Sequence, residues 1–441
     1  MNPINSASSP TPTDPAVTAN GRLFRSWQMR TLAGTMFGYA AFYFVRKNLS
    51  FAMPAMQADL GISKADLGIF LTLHGLLYGV SRFANGVWAD RANARYFMVA
   101  GLLLSVAANV WFGFGSEVLW LGVAWMVNGW VQGMGFPPCC RLMTHWFRPE
   151  RLASVMAVWN TSHSIGAALA SVACGYFVLL GWRWCFFAPA MLCTVAGAIL
   201  FLLLRDTPRS VGLPELRIAG AEPPEPGAED PAAHRAFLRS QVFRNPFIWH
   251  TCLANFFVYV LRFAVLDWGP TLLKEMKHFP LQQTGWMVAA FEVAGIGGML
   301  LAGWVTDRVF GGRGARTCVF CMLGAAAALW AFWQFATTPA AATALLAVAG
   351  FCIYGPQALI GITAANLATR RAAATAAGFT GLFGYASTLV SGWGLGLLVE
   401  SAGWHTAFGA LLGVGALGTF LFLLAWRAPA HGYGSPSAAP S

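Results

Sequence analysis

The sequence predicts an all-α membrane protein whose twelve transmembrane helices form two pseudo-symmetric halves of six helices each. Three observations support this prediction. Only 10% of the 441 residues are charged and 57% are hydrophobic, whereas a soluble domain has roughly 25% charged residues. Apolar stretches long enough to cross a bilayer recur along most of the chain. Finally, the second half of the chain repeats landmarks of the first.

The apolar stretches define the predicted spans, and none shows the alternating pattern of a membrane β-barrel. The spans are predicted at 29–56, 65–89, 96–114, 119–142, 152–178, 184–204, 246–274, 285–306, 316–336, 340–366, 376–400 and 405–426. Nine cysteines are scattered along the chain. The Cys318–Cys321 pair lies inside a span, so we expect small buried side chains there rather than redox or metal chemistry.

The distribution of basic residues predicts the orientation in the membrane. With both termini in the cytoplasm, 20 of the 28 Lys and Arg residues fall in cytoplasmic tails and loops and four fall outside. This bias follows the positive-inside rule. The net charge of +11 therefore reflects membrane topology, and we expect a multi-pass protein of the cell (inner) membrane, in contact with the lipid bilayer and without a nucleic-acid partner.

The polar segments divide the chain. The longest polar interruption contains the Pro- and Glu-rich stretch AEPPEPGAEDPAA, which is typical of an extended linker. The predicted organisation is a disordered cytoplasmic tail (1–26), a first six-helix half (27–205), a cytoplasmic linker (206–244), a second six-helix half (245–427) and a second disordered cytoplasmic tail (428–441).

An internal repeat relates the two halves. At an offset of 216 residues, FYFVRKNLSFAMP in span one matches VYVLRFAVLDWGP in span seven, which pairs Tyr43 with Tyr259, Arg46 with Arg262 and Pro54 with Pro270. At an offset of 217, the loop GVWADR matches GWVTDR, which pairs Gly86, Asp90 and Arg91 with Gly303, Asp307 and Arg308. Such a duplication is typical of secondary transporters, whose substrate lies between the halves near mid-membrane.

Two matched arginines are the strongest candidates for a binding site. Arg46 and Arg262 lie deep in apolar spans, where an arginine costs at least ~2.5–3.5 kcal/mol unless it faces a cavity or a partner. One alternative is that protein carboxylates neutralise both. Away from their ends, the predicted spans contain two acids, Asp267 and Glu292, against four basic residues, Arg46, Lys47, Arg82 and Arg262. This excess of positive charge favours a bound dianion, and guanidinium groups match phosphate oxygens well.

Helical spacing places further polar groups beside each arginine. Tyr39 and Tyr43 precede Arg46 at i−7 and i−3, on one helical face. Asn255 and Tyr259 precede Arg262 with the same spacing. We expect these hydroxyl and amide groups to hydrogen-bond the organic part of a ligand.

Several strings carry a family resemblance. The GxxxDR loops resemble those of the major facilitator superfamily. YFVRKN, QGMGFPPCCR, VWNTSH, RDTPRSVGLP, VYVLRFAVLDWGPTLLKE, IYGPQALIG and AAGFTGLFGY resemble its organophosphate:phosphate antiporter branch, which includes transporters of glycerol 3-phosphate, hexose 6-phosphate and phosphoglycerate. The resemblance extends from about residue 27 to residue 427.

The resemblance implies roles for individual residues. Lys47 and Asp267 match a lysine and an aspartate that form an interhelical ion pair thought to rearrange during transport, although a static pair fits the sequence equally well. His163 in VWNTSH matches a binding-site histidine and shares a helical face with Asn160.

Other matches extend the candidate binding set. Tyr354 in IYGP and Tyr385 in LFGY fall in matching strings, and Arg82 stands where the glycerol-phosphate transporter has lysine. Glu292 matches in FEVAGI, but its contact is left open. Leu397 stands where hexose-phosphate transporters have lysine, which argues against a copy of their site.

The expected function is exchange of a small organophosphate for inorganic phosphate by alternating access. The sequence contains no GxxxxGK[ST] motif for a nucleotide, and we expect no cofactor, no metal and no enzymatic activity. A monomer is expected. The alternative is a sugar-phosphate sensor of the same fold that signals to a membrane histidine kinase.

Overall fold

The computed structural model describes residues 15–147, 149–214 and 237–431, and these residues contain no β-strand. The α-helices are α1 (Pro15–Phe44), α2 (Asn48–Leu60), α3 (Lys64–Arg91), α4 (Ala94–Phe114), α5 (Val118–Gln132), α6 (Phe136–Trp146), α7 (Pro149–Phe177), α8 (Trp184–Leu203), α9 (Pro246–Met276), α10 (Leu281–Arg308), α11 (Gly314–Phe335), α12 (Pro339–Ala386) and α13 (Leu395–Leu424). Short 3₁₀ segments lie at Val178–Leu180 and Pro208–Val211, and π-helical segments at Arg239–Phe243 and Leu389–Gly394.

These helices correspond to the predicted spans. α1 and α2 together form span one, and α5 and α6 form span four, while α12 continues from span ten into span eleven. α13 contains the end of span eleven and nearly all of span twelve, divided at Gly403. Among the described residues, eight helical stretches are long and apolar enough to cross a membrane, and one of them holds two spans. The predicted all-α membrane fold class is confirmed.

Local sequence explains where several helices begin. Side chains of Ser63, Asn93, Asn245 and Thr338 accept hydrogen bonds from backbone N–H groups in the first turns of α3, α4, α9 and α12. Such caps satisfy donors that have no partner within the helix. Gly403 has a φ of 77°, a conformation that glycine adopts at little cost. This residue lets the chain turn between the last two spans.

Two apolar cores hold the helices together. One lies wholly within the first half and includes Phe42, Trp146 and Leu200. The larger one contains first-half residues such as Trp125 together with second-half residues such as Trp268. The two halves therefore share part of their buried apolar surface.

The two ends of the bundle differ. We call the end near residues 204–214 and 237–245 the linker end, and the opposite end, which carries the short loops 61–63 and 277–280, the far end. At the far end the backbones of the halves touch, since a Cβ on Gly68 would lie 2.7 Å from the carbonyl oxygen of Gly392.

Polar contacts join the halves at the same end. Lys64 Nζ lies 3.1 Å from Glu275 Oε2, and the backbone N–H of Ala65 donates to Glu400 Oε2 at 2.9 Å. Deeper in the bundle, the Thr72 hydroxyl donates to the carbonyl oxygen of Thr388 at 2.7 Å. These contacts close the interface between α3 and the second half at the far end.

The structure differs from the predicted tails and linker. α1 begins at Pro15, inside the segment predicted as a disordered tail. Phe24 and Trp27 pack against Trp146 with ring centroids 5.8 and 6.2 Å apart, which anchors this extension. Residues 1–14 and 432–441 lie outside the described residues.

Both ends of the predicted linker are packed. Leu213 is buried against the first-half core, and Val242 is buried in a small apolar cluster with Ile248. Asp206 accepts from the backbone N–H of Ala94 at 2.7 Å. Apolar side chains among the polar ones explain this packing, and the Pro- and Glu-rich centre, residues 215–236, lies outside the described residues.

Candidate functional site

A break in span one presents the first arginine. α1 ends at Phe44 and α2 begins at Asn48, so Arg46 and Lys47 lie on a short turn between two helices. The Arg46 guanidinium lies 3.9 Å above the ring of Tyr78 in α3. This stacking occupies one face of the guanidinium and leaves the N–H groups at its edge available for oxygen acceptors.

The neighbouring lysine pairs with the second half. Lys47 Nζ donates to Asp267 Oδ1 at 2.7 Å, and both side chains are 12% exposed. The pair joins the turn in span one to α9. The structure therefore contains the interhelical ion pair that the resemblance implies, with the two charged groups in direct contact.

The second arginine is held by a buried hydrogen-bonded chain. Arg262 Nη2 donates to the Tyr354 hydroxyl at 3.1 Å, and that hydroxyl donates to Glu292 Oε2. Arg262 is 7% exposed and Glu292 is fully buried. Arg262 Nε and Glu292 Oε1 are buried without a hydrogen-bond partner. This arrangement gives Glu292 its contact, which the sequence left open.

A histidine joins the two halves between the arginines. The His163 ring stacks on Tyr43 at a centroid distance of 6.2 Å and on Tyr354 at 6.0 Å. Its Nδ1 lies 3.1 Å from the Ser164 hydroxyl, and its buried Nε2 has no hydrogen-bond partner. An unpaired nitrogen at this place can donate to an anion when it is protonated.

A second cluster of tyrosines surrounds the third arginine. Arg82 Nη1 donates to the Tyr385 hydroxyl at 3.3 Å, and its guanidinium stacks 3.7 Å above the ring of Phe136. Tyr385 packs edge-on against Tyr78 at 5.2 Å and lies 6.4 Å from Tyr259. Arg82 thus joins the site through Tyr385, and its side chain is not free to extend to the membrane surface.

Tyr39 lies in the same layer of aromatic rings. Its ring packs edge-on against Tyr43 at 5.7 Å and lies tilted against Trp159 at 4.8 Å. Both Tyr39 and Tyr43 are buried, so the predicted stripe beside Arg46 faces the interior of the bundle. In the second half, the amide of Asn255 donates to the carbonyl oxygen of Thr380 at 2.8 Å.

Other predicted residues lie apart from this cluster. Asn160 is exposed although it shares a helical face with buried His163, and Leu397 is exposed on α13. Asp307 and Arg308 are exposed at the end of α10, and a Cβ on Gly303 would meet open space. Gly86, Asp90 and Arg91 lie on the last turns of α3, and their side chains are outside the described part of the structure.

The charges of the site are unevenly matched. Among the described residues, the ion pairs within 4.0 Å join Lys47 to Asp267, Lys64 to Glu275, Arg141 to Asp206 and Arg183 to Asp59. Arg46, Arg82 and Arg262 take no part in these pairs and contact aromatic rings or tyrosine hydroxyls instead. Outside those pairs, Glu292 is the one acid near them among the described residues, so the cluster has a net positive charge suited to a dianion.

Sequence reasoning missed Tyr78. The structure buries it fully between Arg46 and Tyr385. The available signal was its spacing of four residues from Arg82, which places both on one face of α3. Without a matching tyrosine in span eight, the internal repeat gave no reason to select it.

Comparisons with known proteins agree with this geometry. Residues 35–392 match the Major Facilitator Superfamily. The chain is 38% identical over 427 residues to a "Probable hexose phosphate transport protein" of Chlamydia pneumoniae, which covers 92% of each chain. It is 36% identical over 415 residues to the "Glycerol-3-phosphate transporter" of Bacillus subtilis, which covers 92% of this chain and 93% of that one.

Two further similarities complete the comparison. The "Membrane sensor protein UhpC" of Escherichia coli is 35% identical over 409 residues, covering 91% of this chain and 92% of the sensor. The crystal structure of a bacterial homologue of the human lysosomal transporter Spinster has a TM-score of 0.77 at 14% identity, covering 91% of this chain and 97% of that chain. These relatives are membrane transporters or sensors and not enzymes, as expected. The chain belongs to the major facilitator superfamily and, within it, to the organophosphate:phosphate antiporter family.

Proposed function

We propose that this protein is a secondary transporter that exchanges a small organophosphate for inorganic phosphate by alternating access. The principal support is the arrangement of Arg46 and Arg262. They come from matching positions of the two halves, and neither forms an ion pair with a carboxylate among the described residues. A phosphate dianion between them would neutralise both charges and join one half to the other.

The groups around the arginines suit the same ligand. Tyr43, Tyr354 and His163 form a stacked layer between the halves, and His163 Nε2 is a buried nitrogen without a partner. On the other side, Tyr78 and Tyr385 provide aromatic surface and hydroxyls for the organic part of the substrate. The similarity to relatives named as hexose phosphate and glycerol-3-phosphate transporters supports a small phosphorylated metabolite as the substrate.

The mechanism follows from charge and from the contacts between the halves. Without an anion, drawing the halves together around the site brings unneutralised cations close to one another, which is unfavourable in a medium of low dielectric constant. A bound phosphate removes that penalty and lowers the barrier to rocking between the two open states. Because an anion is needed for each return step, transport in this mechanism is exchange.

The orientation is part of the proposal. The positive-inside bias puts both termini and the linker end in the cytoplasm, in a cell (inner) membrane. The contacts of Lys64, Ala65 and Thr72 with the second half then close the outer face. We propose that the structure represents a state closed to the outside, with substrate access from the cytoplasm.

The test is phosphate exchange by purified protein in proteoliposomes. Vesicles preloaded with phosphate should take up labelled phosphate, and Arg46→Lys or Arg262→Lys should abolish uptake because lysine lacks the planar fork. Arg183→Lys is a matched control, since Arg183 is partly exposed and pairs with Asp59 at 3.4 Å. Full exchange by both site variants would contradict the proposal. Competition by hexose 6-phosphates, glycerol 3-phosphate and phosphoglycerate then ranks the organic substrates.

The second candidate function is that of a membrane sensor for sugar phosphates. Its support is the similarity to the Escherichia coli sensor protein, which covers almost the whole chain. A sensor would keep the arginine site and signal to a histidine kinase. Purified protein that binds phosphate esters yet fails to exchange phosphate would favour this function, whereas rapid exchange would favour the transporter.

A further inference from the structure

The turn that carries Arg46 leaves backbone groups without helical partners. In a continuous helix the N–H of Arg46 would donate to the carbonyl oxygen of Phe42. Here it donates to Tyr43 at 3.3 Å, and the N–H of Lys47 donates to the same oxygen at 2.9 Å. The carbonyl oxygens of Phe42 and Val45 are thus freed inside an apolar bundle, where unpaired carbonyls are costly.

Side-chain amides from two other spans satisfy these carbonyls. Val45 O accepts from Asn109 Nδ2 at 3.0 Å and from Asn128 Nδ2 at 2.8 Å. Gln132 Nε2 donates to Phe42 O at 3.2 Å and lies 3.4 Å from Val45 O. Donors from α4 and α5 therefore replace the hydrogen bonds that span one gives up at its turn.

The donors are themselves fixed by one another. The Ser105 hydroxyl donates to Asn128 Oδ1 and accepts from Gln132 Nε2 at 2.8 Å. Asn109 Nδ2 also donates to the carbonyl oxygen of Ser105 at 2.8 Å. Ser105, Asn109 and Asn128 are fully buried and Gln132 is 2% exposed. We call Ser105, Asn109, Asn128 and Gln132 the amide cluster; its hydrogen bonds fix each amide in one orientation.

Among the described residues, the second half has no corresponding turn at its arginine. α9 is continuous from Pro246 to Met276, so Arg262 lies within an unbroken helix. Its guanidinium is positioned by a side chain, the hydroxyl of Tyr354. Arg46, in contrast, contacts Tyr78 and Tyr43 of its own half, and it extends from a turn between two helices rather than from a continuous helix. The placement of Arg46 therefore depends on the backbone of that turn.

We propose that the amide cluster is a positioning element for the anion site. By donating hydrogen bonds to the carbonyl oxygens of Phe42 and Val45, the cluster stabilises the turn at Val45–Lys47. The turn in that position directs Arg46 toward the substrate and Lys47 toward Asp267, and the cluster itself does not touch the substrate. This inference rests on the proposed function, because the consequence it predicts is for phosphate binding. Its structural basis does not depend on the ligand: three buried amides donate to the carbonyl oxygens of the turn, and Ser105 hydrogen-bonds to those amides.

The test uses Asn109→Leu and Asn128→Leu, each of which removes one of the two shorter hydrogen bonds to Val45 O and keeps the branching of the side chain. Inorganic phosphate is the probe, and equilibrium binding to the purified full-length protein is the measurement. We expect at least a tenfold loss of phosphate affinity and faster amide hydrogen exchange in peptides covering residues 42–50. Ser105→Ala is a milder change and replaces a leucine variant that does not fold. It should give a smaller loss of phosphate affinity and a smaller increase in amide hydrogen exchange.

Thr35→Val is the matched control. Thr35 is fully buried on α1, and its hydroxyl donates to the carbonyl oxygen of Thr31 at 2.8 Å, away from the turn. This variant should bind phosphate with the parent's affinity and show the parent's rate of amide hydrogen exchange at residues 42–50. Folded amide-cluster variants that bind phosphate like the parent would overturn the inference.

The amide hydrogen exchange measurement separates this inference from the proposed function. If the parent protein binds no phosphate, the proposed function fails and amide exchange alone decides the inference. Faster exchange at residues 42–50 in Asn109→Leu and Asn128→Leu then supports a cluster that holds the turn. Unchanged exchange at those residues in folded variants overturns it.

Discussion

The ion pair between Lys47 and Asp267 allows a quantitative test of how the two halves are held together. The two charged atoms are 2.7 Å apart, and each side chain is 12% exposed. At an effective dielectric constant of about 20, two unit charges at this distance attract by about 6 kcal/mol. Desolvation offsets much of that attraction, but removal of one partner leaves an uncompensated charge in the bundle.

The expected cost of single substitutions is therefore larger than the net value of the pair. Asp267→Leu or Lys47→Met alone should lower the free energy of unfolding by about 3 kcal/mol, the lower end of the range for broken buried pairs. The double variant should recover at least half of that loss, because it buries no charge. Arg183→Met is the control: its partner Asp59 is more than half exposed, so the cost should stay below about 1 kcal/mol.

Equilibrium unfolding in mixed detergent micelles measures the parent and the four variants on one scale, and phosphate exchange in proteoliposomes measures function. The double variant should regain stability without regaining the parent's exchange rate, because an apolar contact lacks the pair's ability to separate and re-form. A single variant that loses less than about 1 kcal/mol, or a double variant less stable than both singles, would refute this account.

Three further predictions concern other parts of the structure. Glu292→Gln removes the negative charge linked to Arg262 through Tyr354, so phosphate should bind severalfold more tightly and exchange more slowly in binding and uptake assays. Glu400→Gln weakens the hydrogen bond by which Glu400 of the second half caps the first turn of α3, a contact worth about 1 kcal/mol. The population of molecules open at the far end should then rise roughly fivefold, as measured by maleimide labelling. Gly298→Ala should destabilise the protein in thermal unfolding, since its Cβ would clash with the carbonyl oxygen of Phe351, whereas Gly409→Ala should not, since its Cβ would meet open space.

The sequence predicted those features that depend on composition and on the repeat. Apolar length identifies a span whatever it packs against, and the offset of 216 selected Arg46 and Arg262 without knowledge of their neighbours. The break in span one could not be predicted in this way. FVRKN contains neither glycine nor proline, and the donors that stabilise the turn, Asn109 and Asn128, come from spans more than sixty residues away.

Residues 15–26 differ from the prediction for a related reason. The polar composition of residues 1–26 favours disorder, and it outweighed the single aromatic side chain in the segment, that of Phe24. Contacts at the end of this segment and just after it decide the outcome, because Phe24 and Trp27 pack on Trp146 and the amide of Gln28 donates to Trp146 O at 2.7 Å. A tertiary contact across more than a hundred residues extends the helix.

The repeat also explains why Tyr78, the partner of Arg46, escaped prediction. At the offset of 217 Tyr78 corresponds to Gly295. Spans four and ten are related by an offset of 218, which pairs Pro138 with Pro356, and at this offset Phe136 corresponds to Tyr354. A Cβ on Gly295 would lie 2.6 Å from the Tyr354 ring, so the second half cannot hold tyrosines at both positions. Each half therefore supports its arginine with a tyrosine from a different span. The repeat places the two guanidinium groups at equivalent positions of the two halves. Their tyrosine neighbours are not equivalent, because Arg46 stacks on the ring of Tyr78 whereas Arg262 donates to the hydroxyl of Tyr354. Such asymmetry suits a substrate with a symmetric phosphate head and an organic part that must be recognised on one side only.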